Sequence, residues 1–219
     1  YRDLGSKFLI EGEHLLLEAL KNNAVEEIIV TDEKVYREDI PHYNVSLNVM
    51  KKLSLLTTPT SVIAVCRKLD SSEITEKVIL LDGIQNPGNL GTIIRSALAF
   101  KFKTIVLGDN TVDIYNDKVV RASEGMIFNI NILRRNIKEY IYELKEKEYL
   151  IVGTDVKEGM DVKKVKHDKI ALIVGNEGSG IDKDLLETCD KLVNIKMNPD
   201  CESLNVGIAA SILMYELGD

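Results

Sequence analysis

Residues 195–217 form the segment whose residue types and spacing are best suited to chemistry. The segment reads IKMNPDCESLNVGIAASILMYEL, which predicts a strand, a polar loop and a helix that begins with Ser203, Leu204 and Asn205. The side chains of Ser203 and Asn205 both donate and accept hydrogen bonds, and the first backbone N–H groups of a helix have no partner within that helix. This combination favours the binding of a small polar ligand over a purely structural role.

A second polar segment, DGIQNPGNLG at residues 82–91, leads into a helix that carries Arg95. Asn89 is a good N-cap residue for that helix, and the N–H groups after it can receive an anion. Arg95 follows Asn89 by six residues, which is about 1.7 helical turns, so the two side chains do not share one face. They reach one ligand only if Asn89 lies at the mouth of the site. Otherwise Asn89 is a cap and Arg95 is a surface ion-pair partner, and the spacing leaves both interpretations open.

A third polar segment, GNEGSG at residues 175–180, follows an apolar run. Its glycines allow the backbone to approach a ligand closely and to adopt positive φ angles. Glu177 is able to accept hydrogen bonds from hydroxyl groups or to balance a cation. The alternative interpretation is a tight turn between a strand and a helix, with an exposed acid.

Two common phosphate-binding patterns are incomplete in this chain. Gly83 and Gly88 have the spacing of a P-loop, but the Lys-Ser or Lys-Thr pair that should follow is absent. Gly88 and Gly91 lack the preceding glycine of a dinucleotide fingerprint, although Asp109 lies about 20 residues further on, where a ribose-binding acid would lie. A nucleotide-dependent oxidoreductase is therefore a competing interpretation.

The bulk composition indicates an ordinary globular protein without a metal site or a membrane span. A formal net charge of −7 argues against nonspecific nucleic-acid binding, although it leaves room for local basic clusters. The three cysteines share no Cys-x-x-Cys spacing, so we expect reduced cytoplasmic thiols and neither a disulfide nor a zinc site. No apolar run approaches the roughly 18–20 residues of a membrane span. The N-terminus shows no signal-peptide pattern, and its abrupt start allows for a missing leader.

Strand-like and helix-like runs alternate along the chain and divide it into two units. Residues 1–68 predict a small α/β unit, and the polar residues 69–76 are interpreted as a linker. Residues 77–219 repeat strand and helix, and their short continuous apolar runs are typical of strands buried on both faces of a parallel sheet. The predicted strands are 7–12, 26–32, 61–68, 77–83, 104–109, 149–155, 169–176 and 191–197, and the predicted helices are 13–22, 45–54, 89–101, 116–124, 136–148, 182–188 and 203–217.

The polar segments all follow predicted strands. Open parallel sheets bind ligands at the carboxyl ends of their strands. Thr154, which ends another predicted strand, is a fourth candidate. The sequence therefore predicts one site assembled from these loops.

The last predicted helix carries a smooth face made of Gly207, Ala210, Ser211 and Met214, which lie on neighbouring turns. Such a face allows another helix to approach closely. It packs either within the chain or against a second copy of the chain, and a homodimer interface is the sharper interpretation.

Taken together, the three segments resemble the motifs of the SpoU (TrmH-type) family of RNA ribose 2′-O-methyltransferases, in the same order. The matching elements are Asn89 with Arg95, the loop at residues 175–180, and Ile195-Lys196-Met197 followed by Ser203-Leu204-Asn205-Val206. The N-terminal FLIEGEHLLLEAL is similar to the small substrate-binding domain that often precedes the catalytic domain, so the resemblance covers nearly the whole chain. In two departures, Lys196 stands where the family often has Pro, and the loop 198–201 lacks a commonly seen Gly. We expect altered loop detail and retained binding.

The resemblance implies an α/β fold in which a C-terminal parallel-sheet domain with a deep trefoil knot follows a small α/β substrate-binding domain. It implies a cytoplasmic homodimer that uses S-adenosylmethionine and no metal, with active sites near the subunit interface. Ribosomal RNA is favoured over transfer RNA as the substrate because of the added N-terminal domain, and a resistance-type methylase belongs to the same class. The residues that the resemblance places at the methyl donor are Gly175, Ile195 and Leu204, with Thr154, Gly180 and Met197 as neighbours.

In the reaction that the resemblance implies, a ribose 2′-oxygen displaces the methyl group from the donor, so the hydroxyl must lose its proton and be aligned. A guanidinium holds its proton firmly, so Arg95 is assigned first to holding phosphate and polarising the hydroxyl, and only second to acting as the base. Arg121 is a further candidate for RNA contact. A noncatalytic RNA-binding module of the same fold is the alternative from a different class. The residues expected to orient the site are Asn89, Glu177, Ser203 and Asn205.

Overall fold

The computed structural model describes residues 6–69, 73–155 and 159–218. A four-stranded sheet lies in the N-terminal part and a seven-stranded sheet in the C-terminal part. The N-terminal elements are β1 (Lys7–Glu11), α1 (Glu13–Lys21), β2 (Val25–Val30), β3 (His42–Asn44), α2 (Leu47–Leu53) and β4 (Val62–Arg67).

The four-stranded sheet has the order β1-β4-β2-β3. β1 and β2 pair with β4 in antiparallel orientation, and β3 pairs with β2 in parallel orientation. In β1, Phe8 and Ile10 are buried while Lys7 and Leu9 are exposed. This alternation is typical of a strand with one face on the core and one face in water.

The C-terminal sheet has the order β7-β6-β5-β10-β8-β11-β9, and all of its pairings are parallel. Every residue of the central strand β10 is buried, as expected for a strand covered on both faces. Its elements are β5 (Lys77–Leu81), α3 (Pro87–Ala99), β6 (Thr104–Leu107), α4 (Asp117–Ala122), β7 (Asn131–Arg134), α5 (Ile137–Glu146), β8 (Leu150–Thr154), β9 (Met160–Asp161), β10 (Ile170–Val174), α6 (Lys183–Leu186), β11 (Lys191–Asn194) and α7 (Val206–Gly218), with short 3-10 helices at Met126–Asn129 and Val162–Lys164.

The strands β3, β7 and β9 were not predicted from the sequence. All three lie at the edge of a sheet, and they contain three, four and two residues. An edge strand has one free side and needs no long apolar run, so it leaves little signal in the hydrophobic pattern.

The two sheets share one hydrophobic core. Buried residues from both sheets belong to the same apolar cluster. The ring of Phe8 in β1 lies 4.6 Å from the ring of Tyr115 and 5.8 Å from that of Phe128. The N-terminal unit therefore packs directly on the C-terminal unit.

Within the predicted linker, residues 70–72 lie outside the described residues. Thr75, which follows them, is bound to the large sheet. Its backbone N–H donates to the Thr104 hydroxyl at 3.1 Å, and the Tyr149 hydroxyl donates to its carbonyl oxygen at 2.7 Å. From this point on, the chain is part of the C-terminal unit.

Within the described ranges, no helix combines the length and apolar character needed to cross a bilayer. The same ranges hold no cluster of three His, Cys, Asp or Glu side chains that would ligate a metal ion. Cys66, Cys189 and Cys201 are free thiols, and burial raises the pKa of Cys66 to about 12.

Candidate active site

A cavity of about 190 Å³ opens where β8, β10 and β11 end and α7 begins. Most of its wall is apolar and comes from Val174, Ile195, Leu204 and Leu213. Cavities of this kind, with a few polar groups at defined points, are typical of small-molecule sites. The lining includes eight residues that the sequence singled out, namely Thr154, Gly175, Glu177, Gly180, Ile195, Met197, Ser203 and Leu204.

The loop after β10 is tightly folded and needs glycine at its first position. A Cβ atom on Gly175 would lie 2.2 Å from the backbone carbon of Gly180 and 2.2 Å from the nitrogen of Ile181. Asn176 and Gly180 exchange two backbone hydrogen bonds of 2.9 and 3.0 Å, and Gly180 has a φ of +73°. This tight fold places backbone atoms at the cavity wall. A side chain at Gly175 would push these atoms away.

Glu177 lies at the mouth of the cavity and joins two of the predicted loops. Its carboxylate accepts hydrogen bonds from the backbone N–H of Gln85 at 3.2 Å, from that of Asn86 at 3.0 Å, and from the Asn89 side chain at 3.0 Å. Burial alone would raise the pKa of Glu177, but these hydrogen bonds outweigh it and lower the pKa. The carboxylate is therefore held in its ionised form as a hydrogen-bond acceptor.

Asn205 connects the third loop to the same network. Its side-chain nitrogen donates to the Asn89 side-chain oxygen at 2.9 Å. Its own oxygen accepts from the backbone N–H groups of Gly207 at 2.9 Å and Ile208 at 3.3 Å, which makes Asn205 the N-cap of α7. The Asn89, Glu177 and Asn205 side chains, the mouth network, thus tie together all three polar segments.

Two helix starts differ from the prediction. Ser203, Leu204 and Asn205 do not form the first turn of α7, which begins at Val206. Asn89 does not cap α3, because the cap is Asn86, whose side chain accepts from the N–H groups of Gly88 and Asn89. Asn89 therefore lies in the first turn of α3, where its side chain is not needed as a cap and joins the mouth network, while Asn205 joins the network from the cap position of α7.

Arg95 lies apart from the cavity in the single chain. It lines a separate, open groove with His14, Glu124 and Phe100, among other residues. Its side chain is exposed, and within the described part of the chain its guanidinium forms no hydrogen bond or ion pair. The structure therefore does not bring Arg95 together with the mouth network inside one subunit.

The profile of the SpoU rRNA Methylase family matches residues 76–215. The chain belongs to the SpoU methylase family. A second profile, that of the MRM3-like substrate binding domain, matches residues 1–64. The predicted family is thus confirmed.

Three known proteins are similar to this SpoU chain over 96–98% of its length. It is 42% identical over 217 residues to the 23S rRNA (guanosine(2553)-2′-O)-methyltransferase RlmP of Bacillus subtilis, covering 96% of this chain and 88% of that protein. It superposes with a TM-score of 0.86 and 26% identity on the AdoMet-bound rRNA methyltransferase from Sinorhizobium meliloti, covering 98% and 88% of the two chains. The AviRb SpoU methyltransferase from Streptomyces viridochromogenes, crystallised with AdoMet, gives a TM-score of 0.87 at 24% identity, covering 98% and 90%.

The predicted fold class is also confirmed. The chain is an α/β protein whose C-terminal parallel sheet follows a smaller α/β part, and it shares this fold with solved SpoU methyltransferases. The strand order, with β10 between β5 and β8, agrees with the knotted C-terminal region that the family resemblance implies.

The smooth face of α7 packs within the chain. The Ser211 hydroxyl lies 2.6 Å from that of Ser96 on α3, and a Cβ on Gly207 would lie 3.3 Å from Thr92. Of the two interpretations that the sequence left open for this face, the structure shows packing within the chain. The exposed apolar residues of α7 lie elsewhere on the helix.

Arg121 does not face the cavity in this SpoU chain. Its guanidinium donates to the Asp117 carboxylate at 2.9 Å, one helical turn away on α4. This ion pair uses one of the five N–H donors of the guanidinium.

Two positions that shape the site were not singled out in the sequence. Asn176 holds the loop after β10, since its oxygen accepts from the N–H groups of Gly178 and Ser179 and its nitrogen donates to the Gly83 carbonyl at 2.8 Å. Asn86 caps α3. The signals were present, because an Asn side chain readily accepts a hydrogen bond from the backbone N–H two residues further on and so favours such a turn, and Pro87 is typical of the first position of a helix.

Proposed function

We propose that this protein transfers a methyl group from S-adenosylmethionine to a ribose 2′-hydroxyl of RNA. The observation that carries the proposal is one cavity lined by the second and third family motifs. The mouth network of Asn89, Glu177 and Asn205 lies at its edge and joins Asn89 of the first motif to the other two. The family membership supports the reaction class.

The cavity fits the adenosine and methionine parts of the donor. Its walls are apolar, and Gly175 leaves backbone free where a Cβ would collide with the loop. Gly175, Ile195 and Leu204 hold the donor chiefly through backbone groups, with Thr154, Gly180 and Met197 beside them. When bound, the donor supplies a sulfonium-linked methyl group, which is a good electrophile and needs no metal.

The residues of the chain then have to position the acceptor. Glu177 is fixed as an acceptor by its three N–H partners, so it orients the loops and does not shuttle the proton. Ser203 lines the cavity and carries a hydroxyl suited to orienting a ribose oxygen. Arg95 binds the phosphate beside the target ribose and polarises the 2′-hydroxyl, which favours loss of its proton.

The enzyme works as a homodimer in which Arg95 serves the cavity of the partner subunit. Two features support this. Arg95 is exposed, has no hydrogen-bond or ion-pair partner within the described residues, and lies outside the cavity of its own chain. On α7, Ile208 is 51% exposed and Tyr215 is 56% exposed. These residues lie two helical turns apart on one side of the helix, so this side carries an uncovered apolar strip.

The substrate is ribosomal RNA. The relative RlmP is named as a 23S rRNA guanosine 2′-O-methyltransferase, and the N-terminal unit matches a substrate binding domain. We assign residues 1–68 to RNA binding, residues 77–219 to methyl transfer and the cytoplasm as the place of action.

The test is a methyl-transfer assay with labelled donor on unmodified ribosomal and transfer RNA, followed by mapping of the modified ribose. The expected result is one 2′-O-methylated nucleotide in ribosomal RNA. A parallel titration compares S-adenosylhomocysteine with NADH, and binding of NADH alone would support the oxidoreductase instead. Cofactor binding without transfer to any RNA would favour a noncatalytic module.

A further inference from the structure

A second cavity lies on the opposite side of the loop after β10. It has a volume of about 530 Å³ and shares Asn176, Gly180 and Ile181 with the donor cavity. Its other walls come from the loops that follow β5 and β6 and from the start of α6. The two cavities are therefore neighbours at the carboxyl edge of one parallel sheet, where ligands bind.

The wall that follows β6 is rigid before any ligand arrives. The guanidinium of Arg134 donates to the carbonyl oxygens of Gly108 at 3.1 Å and Thr111 at 3.3 Å. The buried Thr111 hydroxyl donates to the Leu81 carbonyl at 2.9 Å. These bonds fix the loop that presents Asn110 to the cavity.

Several polar groups in this second cavity are free. In the part of the chain that the structure describes, the side-chain amides of Gln85 and Asn110 and the ammonium of Lys183 form no hydrogen bond. Asp82 uses one oxygen to accept from the backbone N–H of Asp182 at 2.9 Å, and its other oxygen has no partner among the described residues. The lining thus offers amide donors and acceptors together with a free carboxylate oxygen.

The charge of this lining selects the class of ligand. Asp82 and Asp182 place two carboxylates against the single ammonium of Lys183, which disfavours a phosphate. A neutral heterocycle with N–H donors and carbonyl acceptors on its edge suits the same groups well.

We propose that this second cavity binds the base of the target nucleotide, turned out of its stack, while the ribose lies at the mouth network. The inference rests on the proposed methyl transfer to RNA. The connection between base and ribose sites is direct, because the backbone N–H of Gln85 donates to Glu177 at 3.2 Å. Enzymes that act on a base inside a duplex take it out of the stack and hold it in a pocket, and a cavity beside the ribose site allows the same arrangement here.

The carboxylate of Asp82 sets the base preference. A ring N–H, which guanine and uracil have, donates to this oxygen. When the same ring nitrogen of adenine or cytosine faces Asp82, it presents a lone pair instead, and the two lone pairs repel. The exocyclic amino groups of adenine and cytosine reach this oxygen only from a shifted orientation of the ring. A well-formed contact of this kind discriminates by about tenfold or more.

The test begins with the RNA nucleotide that the wild-type enzyme methylates, in four versions that differ only in the target base and a fifth that is abasic. The expected wild-type result is that the versions with guanine and uracil react at least about tenfold better, by kcat/KM, than the versions with adenine and cytosine. The abasic RNA should react more weakly still. Equal reaction of the abasic RNA would mean that the cavity holds no base.

The variants Gln85→Ala and Asn110→Ala should raise the KM for RNA about fivefold or more, with unchanged affinity for S-adenosylhomocysteine. Asp82→Asn keeps the acceptor for Asp182 and should reduce the preference for guanine and uracil. Asp168→Asn, an exposed residue before β10 at the opposite edge of the sheet, is the matched control.

The outcomes separate the two proposals. Wild-type methylation with all three variants unchanged in KM and base ranking overturns the base cavity alone. A rise in KM that is equal for intact and abasic RNA points to a phosphate in the cavity and also overturns it. Absence of methyl transfer by the wild type to any RNA overturns both.

Discussion

At the scale of single residues, Glu177 shows why the type of a side chain does not fix its role. A carboxylate in an active site is an obvious candidate for proton transfer. Here it is the acceptor for three N–H groups from the loop after β5 and from α3. A group that already satisfies three donors as an anion is a poor proton acceptor, so its function is to hold two loops together.

This environment predicts a pH dependence. Because the fold lowers the pKa of Glu177 from its ordinary value of 4.5, its contribution to stability and donor affinity is complete above that value and is lost as the pH falls through the lowered pKa. Donor affinity measured by calorimetry should therefore show no Glu177 transition between about pH 5 and pH 8. Glu177→Gln should lower turnover about tenfold at pH 7, whereas a variant with wild-type turnover would contradict the role of the mouth network.

Arg95→Ala should lower turnover by about 100-fold or more with donor affinity nearly unchanged, because the guanidinium acts on the developing charge of the acceptor. The measurement is kcat on the mapped RNA, alongside calorimetry with S-adenosylhomocysteine. Lys166→Ala, which also removes one exposed positive charge, is the control and should retain activity. Near-normal turnover of Arg95→Ala would remove the residue from its assigned role.

Much of the site was predictable at this scale, for a specific reason. The three motifs are local in sequence, and seven of the residues singled out in the second and third motifs line one cavity. The error at Asn89 arose because two asparagines flank Pro87, and either satisfies the general rule for a cap. Only the structure shows that Asn86 takes the cap and leaves Asn89 for Glu177.

At the scale of elements, the loop after β10 contains two glycines, Gly175 and Gly178, whose surroundings differ sharply. A Cβ on Gly175 would meet backbone atoms at 2.2 Å, whereas one on Gly178 would have its nearest contact at 3.5 Å. Gly175→Ala should therefore force the loop apart and weaken donor affinity by more than about tenfold. Gly178→Ala is the matched control and should change the affinity little. Calorimetry decides, and equal affinities in the two variants would show that the loop does not shape the donor cavity.

The start of α7 offers a second test. Asn205→Ala removes the cap and the link to Asn89 at once, and loss of a cap typically costs about 1 kcal/mol. Donor affinity should fall about fivefold or more, and amide hydrogen exchange should speed up in the first turn of α7. Unchanged affinity would argue that the third loop is not part of the donor site. Leu204→Pro, which stiffens the preceding loop, should weaken donor binding as well.

The elements that were predicted and those that were missed differ in physical character. Central strands such as β5 and β10 are continuous apolar runs because both of their faces are buried. β9 has two residues and lies at the sheet edge, so its pairing with β11 depends on a register that only the folded sheet defines. The pattern of apolar residues therefore predicted the central strands of the C-terminal sheet and missed its two edge strands, β7 and β9.

At the scale of the whole molecule, the sequence suggested two separate units, whereas the structure joins them through one core. Phe8 in β1 packs against Tyr115 and Phe128 of the C-terminal part. These contacts are distant in sequence, and no local pattern reports them. Their consequence is that the N-terminal unit is held in a fixed position relative to the cavity of the C-terminal unit.

The proposed homodimer makes two predictions at this scale that can be tested separately. The first concerns the interface on α7, and the second concerns the role of Arg95. Ile208→Glu and Tyr215→Glu place charges on the uncovered strip of α7 and should convert the protein to a monomer in sedimentation experiments. Tyr142→Glu changes a tyrosine that is 57% exposed on α5 and is the control, which should remain dimeric. A dimer that survives both α7 variants would place the interface elsewhere.

Mixed dimers test whether Arg95 crosses to the partner. At a donor concentration too low to saturate Gly175→Ala, both Arg95→Ala and Gly175→Ala are expected to be nearly inactive, the first for lack of the guanidinium and the second for weak donor binding. A dimer with one subunit of each kind combines an intact cavity on the Arg95→Ala subunit with an intact Arg95 on the other. If Arg95 acts across the interface, this mixed dimer regains up to about half of the wild-type rate, since one of its two sites is complete. If Arg95 acts within its own subunit, neither site is complete and the mixture stays inactive.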